Sequence, residues 1–130
     1  MGVEAFQHVN TRSADVERTR EFYEQVIGLR AGDRPPFPFK GYWLYLGSQA
    51  VLHLVQRADG DRHHEGTGNL DHVAFFASDY DGMRQRLVDR GMAFREAMVP
   101  RDGTRQIFVK DPDGLTIELN FAPARATALT

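Results

Sequence analysis

The sequence predicts an α+β domain with a mixed sheet, made of two tandem modules that each read strand, helix, then three strands. Three observations predict it. The stretch "QHVNTRSADVERTREFYEQVIGL" (7–29) is echoed by "DHVAFFASDYDGMRQRLVDRGM" (71–92). Each opens on a His in a strand-like start, continues into an acid-rich helix start, and reaches a Gly 20 or 19 residues past the His. Later, "GSQAVLHLV" (47–55) is echoed by "PDGLTIELN" (112–120), with His53 falling on Glu118. Finally, the chain has 130 residues, 42% of them hydrophobic, enough for one packed domain or two small modules.

Taken in order, residues 4–11 read as a strand with Phe6, His8 and Asn10 on one face. Ser13 is a plausible N-cap, with Asp15 and Glu17 in the first turn, where negative charge suits the helix dipole. The helix runs to about Ile27 on a stripe of Val16, Phe22, Tyr23, Val26 and Ile27, and Gly28 fits the position just past its end. Residues 33–39 hold three of the six prolines and read as a loop over a site. Tyr42–Leu46 and Ala50–Val55 are two strands joined at Gly47-Ser48.

Residues 57–69 are polar, carry no apolar period and read as the linker between module one (4–56) and module two (70–121). Leu70–Ala77 is the next strand. Ser78 opens a second helix, with Tyr80, Met83, Leu87 and Val88 facing inward and Gly91 ending it. Ala93–Met98, Arg105–Val109 and Leu115–Phe121 are strands. Asp111-Pro112-Asp113-Gly114 is a turn in which Pro fixes one φ and Gly supplies a positive one. The tail after Pro123 is expected to fray.

Composition excludes several functions. A net charge of −2 without a basic block argues against nucleic acid as the partner. The absence of Cys removes disulfides, thiolate metal sites and a cysteine nucleophile. No apolar run approaches ~20 residues, so no membrane span is expected. The start lacks the features of a signal peptide, and the expected location is the cytoplasm. No Ser sits in a nucleophile elbow, and Gly-rich phosphate loops are missing.

Four residues stand out for chemistry. His8 is followed by His53 after 45 residues, and His72 by Glu118 after 46. Three imidazoles and a carboxylate, with no thiolate, suit one divalent transition metal: Zn, Ni, Fe, Mn or Co. Singly, a strand His is a core or surface residue more often than a ligand; the matched placement raises the ligand reading for all four. Glu118 lies among apolar neighbours, where a carboxylate is costly unless paired or metal-bound. On strict alternation it instead shares a mildly polar face with Thr116 and Asn120. Trp43, Tyr45 and Phe108 either line a substrate site or pack the core. Arg105 either holds an anionic substrate or is simply exposed. His63 and His64 read as solvated loop residues.

The motifs "HVN" at His8, "REFYEQVIGL" at Arg20–Leu29, "LDHVAF" at Leu70–Phe75 and "VKDPDGLTIEL" at Val109–Leu119 resemble the vicinal oxygen chelate superfamily, the glyoxalase/bleomycin resistance/dioxygenase group. The resemblance covers residues 4–121. It implies paired βαβββ modules whose sheets curl around a metal cleft, with His8, His53, His72 and Glu118 as ligands. Glyoxalase I usually carries Glu or Gln where this chain has His53. The extradiol dioxygenases and fosfomycin-modifying transferases use only the other three positions. "WLYLG…VLHLVQ" resembles a glyoxalase-like group in which the His recurs.

The function implied is a metal-dependent lyase or isomerase that polarises a small substrate with adjacent oxygens, with Glu118 as the candidate base. The alternatives are an Fe(II) extradiol-type dioxygenase and a non-enzymatic small-molecule binding or resistance protein. Antibiotic modification is disfavoured because Phe108 stands where a Tyr would grip the phosphonate. A homodimer is expected, since modules of ~60 residues leave edges and apolar area to cover.

Overall fold

The structure is a computed structural model and describes residues 2, 4–59, 70, 72–100 and 102–124. Contacts divide the chain into two compact units, Met1–Gly66 and Thr67–Thr130. Both units have the same design. In the first, the order is β1 (Val9–Ser13), α1 (Val16–Phe22), β2 (Arg30–Gly32), β3 (Gly41–Leu46) and β4 (Gln49–Gln56). In the second it is β5 (His72–Phe76), α2 (Tyr80–Asp89), β6 (Phe94–Met98), β7 (Arg105–Lys110) and β8 (Thr116–Phe121). Each unit forms a four-stranded mixed sheet, ordered β1-β4-β3-β2 and β5-β8-β7-β6. The first and last strands of each unit pair in parallel, and the remaining neighbours are antiparallel. This is the α+β, βαβββ architecture that the repeat predicts.

In the first unit α1 packs against β1, β3 and β4. Val16, Phe22, Tyr23 and Val26 are buried, as are Leu44, Leu52 and Leu54 from the sheet, while Ile27 is only half-buried. After Phe22 the helix widens into one π-helical turn, Tyr23–Ile27. The N–H groups of Gly28 and Leu29 both reach the Tyr23 carbonyl, at 2.8 and 2.9 Å. Gly28 closes the turn at φ 97°, a left-handed conformation that favours a residue without Cβ. On the helix side Tyr42 donates to Glu17, and this bond is the main reason the Glu17 carboxyl is held below its usual range.

In the second unit Met83 and Leu87 of α2 are buried, and so are Ile107, Val109, Ile117, Leu119 and Phe121. Tyr80 meets Phe121 edge to face, and Arg84 pairs with Glu96. The 111–114 turn is held by Asp111, whose Oδ1 accepts from the N–H groups of Asp113 and Leu115 at 2.8 and 2.9 Å.

The structure differs from several sequence expectations. The first strand begins at Val9, so His8 precedes it. Ser13 ends that strand, buried against the Thr19 hydroxyl at 2.8 Å; the N-cap is Asp15, which accepts from Arg18 N–H. Likewise Asp79, not Ser78, caps α2. A Cβ at Gly82 would overlap the Asp79 carboxylate, so Gly there lets the cap close. Val88 is exposed rather than inward-facing. The short β2 lies where no strand was singled out: at three residues it carries too little pattern to read. Most of the 57–69 linker, with His63 and His64, lies outside the described residues, as does the tail from residue 125.

Candidate metal and substrate site

Register carries the repeat into three dimensions. In the first sheet Asn10, His53, Trp43 and Gly32 form one cross-strand row. In the second sheet the equivalent row is Ala74, Glu118, Phe108 and Arg95. His8 lies two residues before Asn10, and His72 two residues before Ala74. Because side chains alternate across a strand, each His is placed on the same face as the second donor of its unit. That face is the one turned away from the buried leucines.

The two pairs differ in how close they are to a chelating geometry. In the second unit His72 Nε2 lies 3.4 Å from Glu118 Oε1. Adjacent ligands on a transition ion with bonds of ~2.1 Å sit roughly 3.0–3.4 Å apart, so this pair fits. In the first unit the His8 and His53 rings lie face to face, with centroids 3.7 Å apart and planes 12° apart. Stacked rings carry their in-plane lone pairs side by side, so a turn of the His8 ring is needed before both nitrogens meet one ion. His8 precedes β1 and is not clamped in the ladder. His8 Nδ1–H donates to Gln7 Oε1 at 2.9 Å, which leaves Nε2 as its free lone pair. Among the described residues no three His, Cys, Asp or Glu side chains come together in a group that could hold a metal ion.

Glu118 is set by a relay that the sequence did not disclose. Its side chain is 15% exposed, against 42% for His72. Asn120 Nδ2 donates to Glu118 Oε2 at 2.8 Å, and Gln106 Nε2 donates to Asn120 Oδ1 at 3.0 Å. Gln106 therefore fixes which way the Asn120 amide points, and Asn120 occupies one carboxylate oxygen while the other faces His72. The alternation of Thr116, Glu118 and Asn120 was a legible signal for half of this relay; Gln106 is reached only through the pairing of β7 with β8.

The predicted substrate residues separate. Trp43 stacks on His53 at 4.1 Å, so Trp43, His53 and His8 form a continuous column of rings. Tyr45 leans over Gly32 on the same face and donates its hydroxyl to the Asp33 carbonyl at 2.6 Å. Phe108 pairs directly with Glu118. Arg105 falls on the opposite, helix-facing side: its guanidinium lies over Tyr80 at 4.7 Å, and its Nε donates to the Ala122 carbonyl. Alternation explains the difference, because Arg105 shares its face with the buried Ile107 and Val109. Among the described residues, the Arg and Lys side chains on the Glu118 face are Arg95 and Lys110.

Burial first, and then the nearby His8, lower the His53 pKa below its ordinary value of 6.5. A base whose pKa is depressed by folding is protonated more readily in the unfolded chain. Its contribution to stability is therefore complete above 6.5 and is lost as pH falls below that value. The metal-free chain should show a falling melting temperature on acidification from pH 7 to 5, and His53→Gln should flatten that slope.

The sequence matches the Glyoxalase/Bleomycin resistance protein/Dioxygenase superfamily over residues 5–119. The chain belongs to this family. It is 32% identical over 120 residues to a lactoylglutathione lyase of Neisseria meningitidis, covering 85% of this chain and 86% of that one. It is 33% identical over 122 residues to a lactoylglutathione lyase of Arabidopsis thaliana, but that match covers 88% of this chain and only 43% of the relative. Among solved structures, a glyoxalase/dioxygenase from Nostoc punctiforme superposes with a TM-score of 0.76 at 19% identity, covering 92% of both chains. That likeness supports the fold alone. Among the described residues no helix is long and apolar enough to cross a membrane.

Proposed function

We propose that this glyoxalase-superfamily chain is a divalent-metal-dependent lyase or isomerase acting on a small substrate with adjacent oxygens. The observation that carries the proposal is the His72–Glu118 pair, two donors 3.4 Å apart at positions that His8 and His53 repeat in the other unit. The donor chemistry supports a transition ion, and relatives named lactoylglutathione lyase support the reaction type.

The ion would be held by His8, His53, His72 and Glu118. When bound, it supplies Lewis acidity to the substrate's adjacent oxygens. The chain's own residues do the rest. Glu118 is the base for a proton next to a carbonyl, and Asn120 holds it in place through Oε2. Trp43, Tyr45 and Phe108 flank the donors with aromatic surface for the substrate body.

The test is turnover of small α-oxo-aldehydes and α-hydroxyketones, free and as thiol adducts, by chelator-stripped protein before and after adding Ni²⁺, Zn²⁺, Mn²⁺, Fe²⁺ or Co²⁺. Metal-restored isomerisation on at least one substrate is expected. Undiminished turnover by stripped protein contradicts the proposal. We also expect a homodimer, because large apolar side chains such as Phe76, 98% exposed, are left uncovered. Light scattering that finds only a 14.7 kDa species contradicts that expectation.

A further inference from the structure

The second unit contains a pocket of about 700 Å³ lined by His72, Phe94, Arg95, Phe108, Lys110 and Thr116, among others. Register explains its make-up. Arg95 pairs with Phe108 across β6 and β7, and Lys110, Thr116 and His72 form the next row across β7, β8 and β5. Two cations and the His72 donor thus open onto one cavity. Arg95 lies over the Phe108 ring at 4.0 Å. A guanidinium spread on an aromatic face keeps its edge N–H groups free for a planar oxyanion.

Among the described residues neither Arg95 nor Lys110 has a carboxylate partner, and the nearby acids are committed elsewhere. Glu96 pairs with Arg84, and Asp111 accepts from the Asp113 and Leu115 backbone. Glu118 is turned to Asn120 and His72. Two cations with no carboxylate partner among the described residues, over an apolar floor, make an anion grip beside a hydrophobic seat.

We infer that this pocket binds the oxyanionic end of the substrate, a carboxylate or phosphoryl group attached to an apolar or aromatic body, with Arg95 and Lys110 gripping the anion and Phe108 against the body. The inference rests on the reading of the His72–Glu118 face as the substrate site, and it narrows the substrate to an acid. Arg95 and Lys110 act as specificity residues. They occupy the role that the sequence pattern offered to Arg105, which the fold turns to the other face.

The test uses the full chain after chelator treatment, so that binding is read without metal or turnover. Benzoylformate and its neutral methyl ester are titrated by calorimetry into the wild type, into the Arg95→Gln/Lys110→Gln double variant and into His8→Ala. Wild type should bind the acid about tenfold more tightly than the ester, as expected for charge-assisted hydrogen bonds partly exposed to solvent. The double variant should lose that preference and keep its affinity for the ester. Both replaced side chains are exposed, so the fold should survive. Benzoylphosphonate in the same series separates the two oxyanions: whichever acid binds more tightly names the group. Equal affinity for acid and ester in the wild type, or an unchanged preference in the double variant, overturns the inference. His8→Ala, outside the pocket, separates the two readings: it should lower metal uptake yet keep the preference for the acid. Undiminished metal uptake there refutes the metal reading alone.

Discussion

Glu118→Gln should lower metal affinity and cut activity by at least ~100-fold, the range expected when a positioned base is removed. The substitution keeps shape and removes charge. Ile117 and Leu119 on either side stay buried on the other face of β8, so the fold should be retained. What changes is the group that offsets the cation and takes up the proton. His53→Ala should cost less, because it leaves His8, His72 and Glu118, three ligands of a workable facial set. Side-by-side kinetics and metal titration check the order. If His53→Ala abolishes metal binding while Glu118→Gln keeps metal and activity, the roles are reversed.

Leu119→Ala should destabilise the chain by about 3 kcal/mol, within the range for buried Leu truncations, and lower the melting temperature by roughly 10 °C. Leu119 is 2% exposed and belongs to the apolar face of β8 with Ile117 and Phe121. Its neighbour Asn120 projects to the other side, onto Glu118. Asn120→Ala should therefore leave the melting temperature nearly unchanged and reduce turnover instead. Thermal denaturation of the two variants compares the faces directly, and a large stability loss in Asn120→Ala would contradict the division.

That division of faces was legible in the sequence because a strand alternates with period two: Thr116, Glu118 and Asn120 had to share a side. The tandem repeat was legible for a similar reason, since equal spacing between His8 and His53 and between His72 and Glu118 needs no knowledge of pairing. The misses have separate physical causes. Gln106, Arg95 and Lys110 reach the Glu118 face only through the register of β6, β7 and β8, and register is fixed by pairing rather than by local pattern. Arg105 was picked by its place before a strand, but one residue's shift along a strand reverses its face. The helix caps moved from Ser13 to Asp15 and from Ser78 to Asp79, because several capping residues cluster at each helix start and the local backbone selects among them. The stacking of His8 on His53 follows from side-chain torsions that no spacing discloses.

The proposed service of one divalent ion by His8, His53, His72 and Glu118 is open to direct measurement. Elemental analysis of protein purified without added metal or chelator, followed by calorimetric titration of the stripped chain, tests it most directly. One transition ion per chain is expected, with loss of uptake in the His72→Ala/Glu118→Gln double variant. A wild type that takes up no ion, or a double variant that binds one as tightly as the wild type, would contradict it.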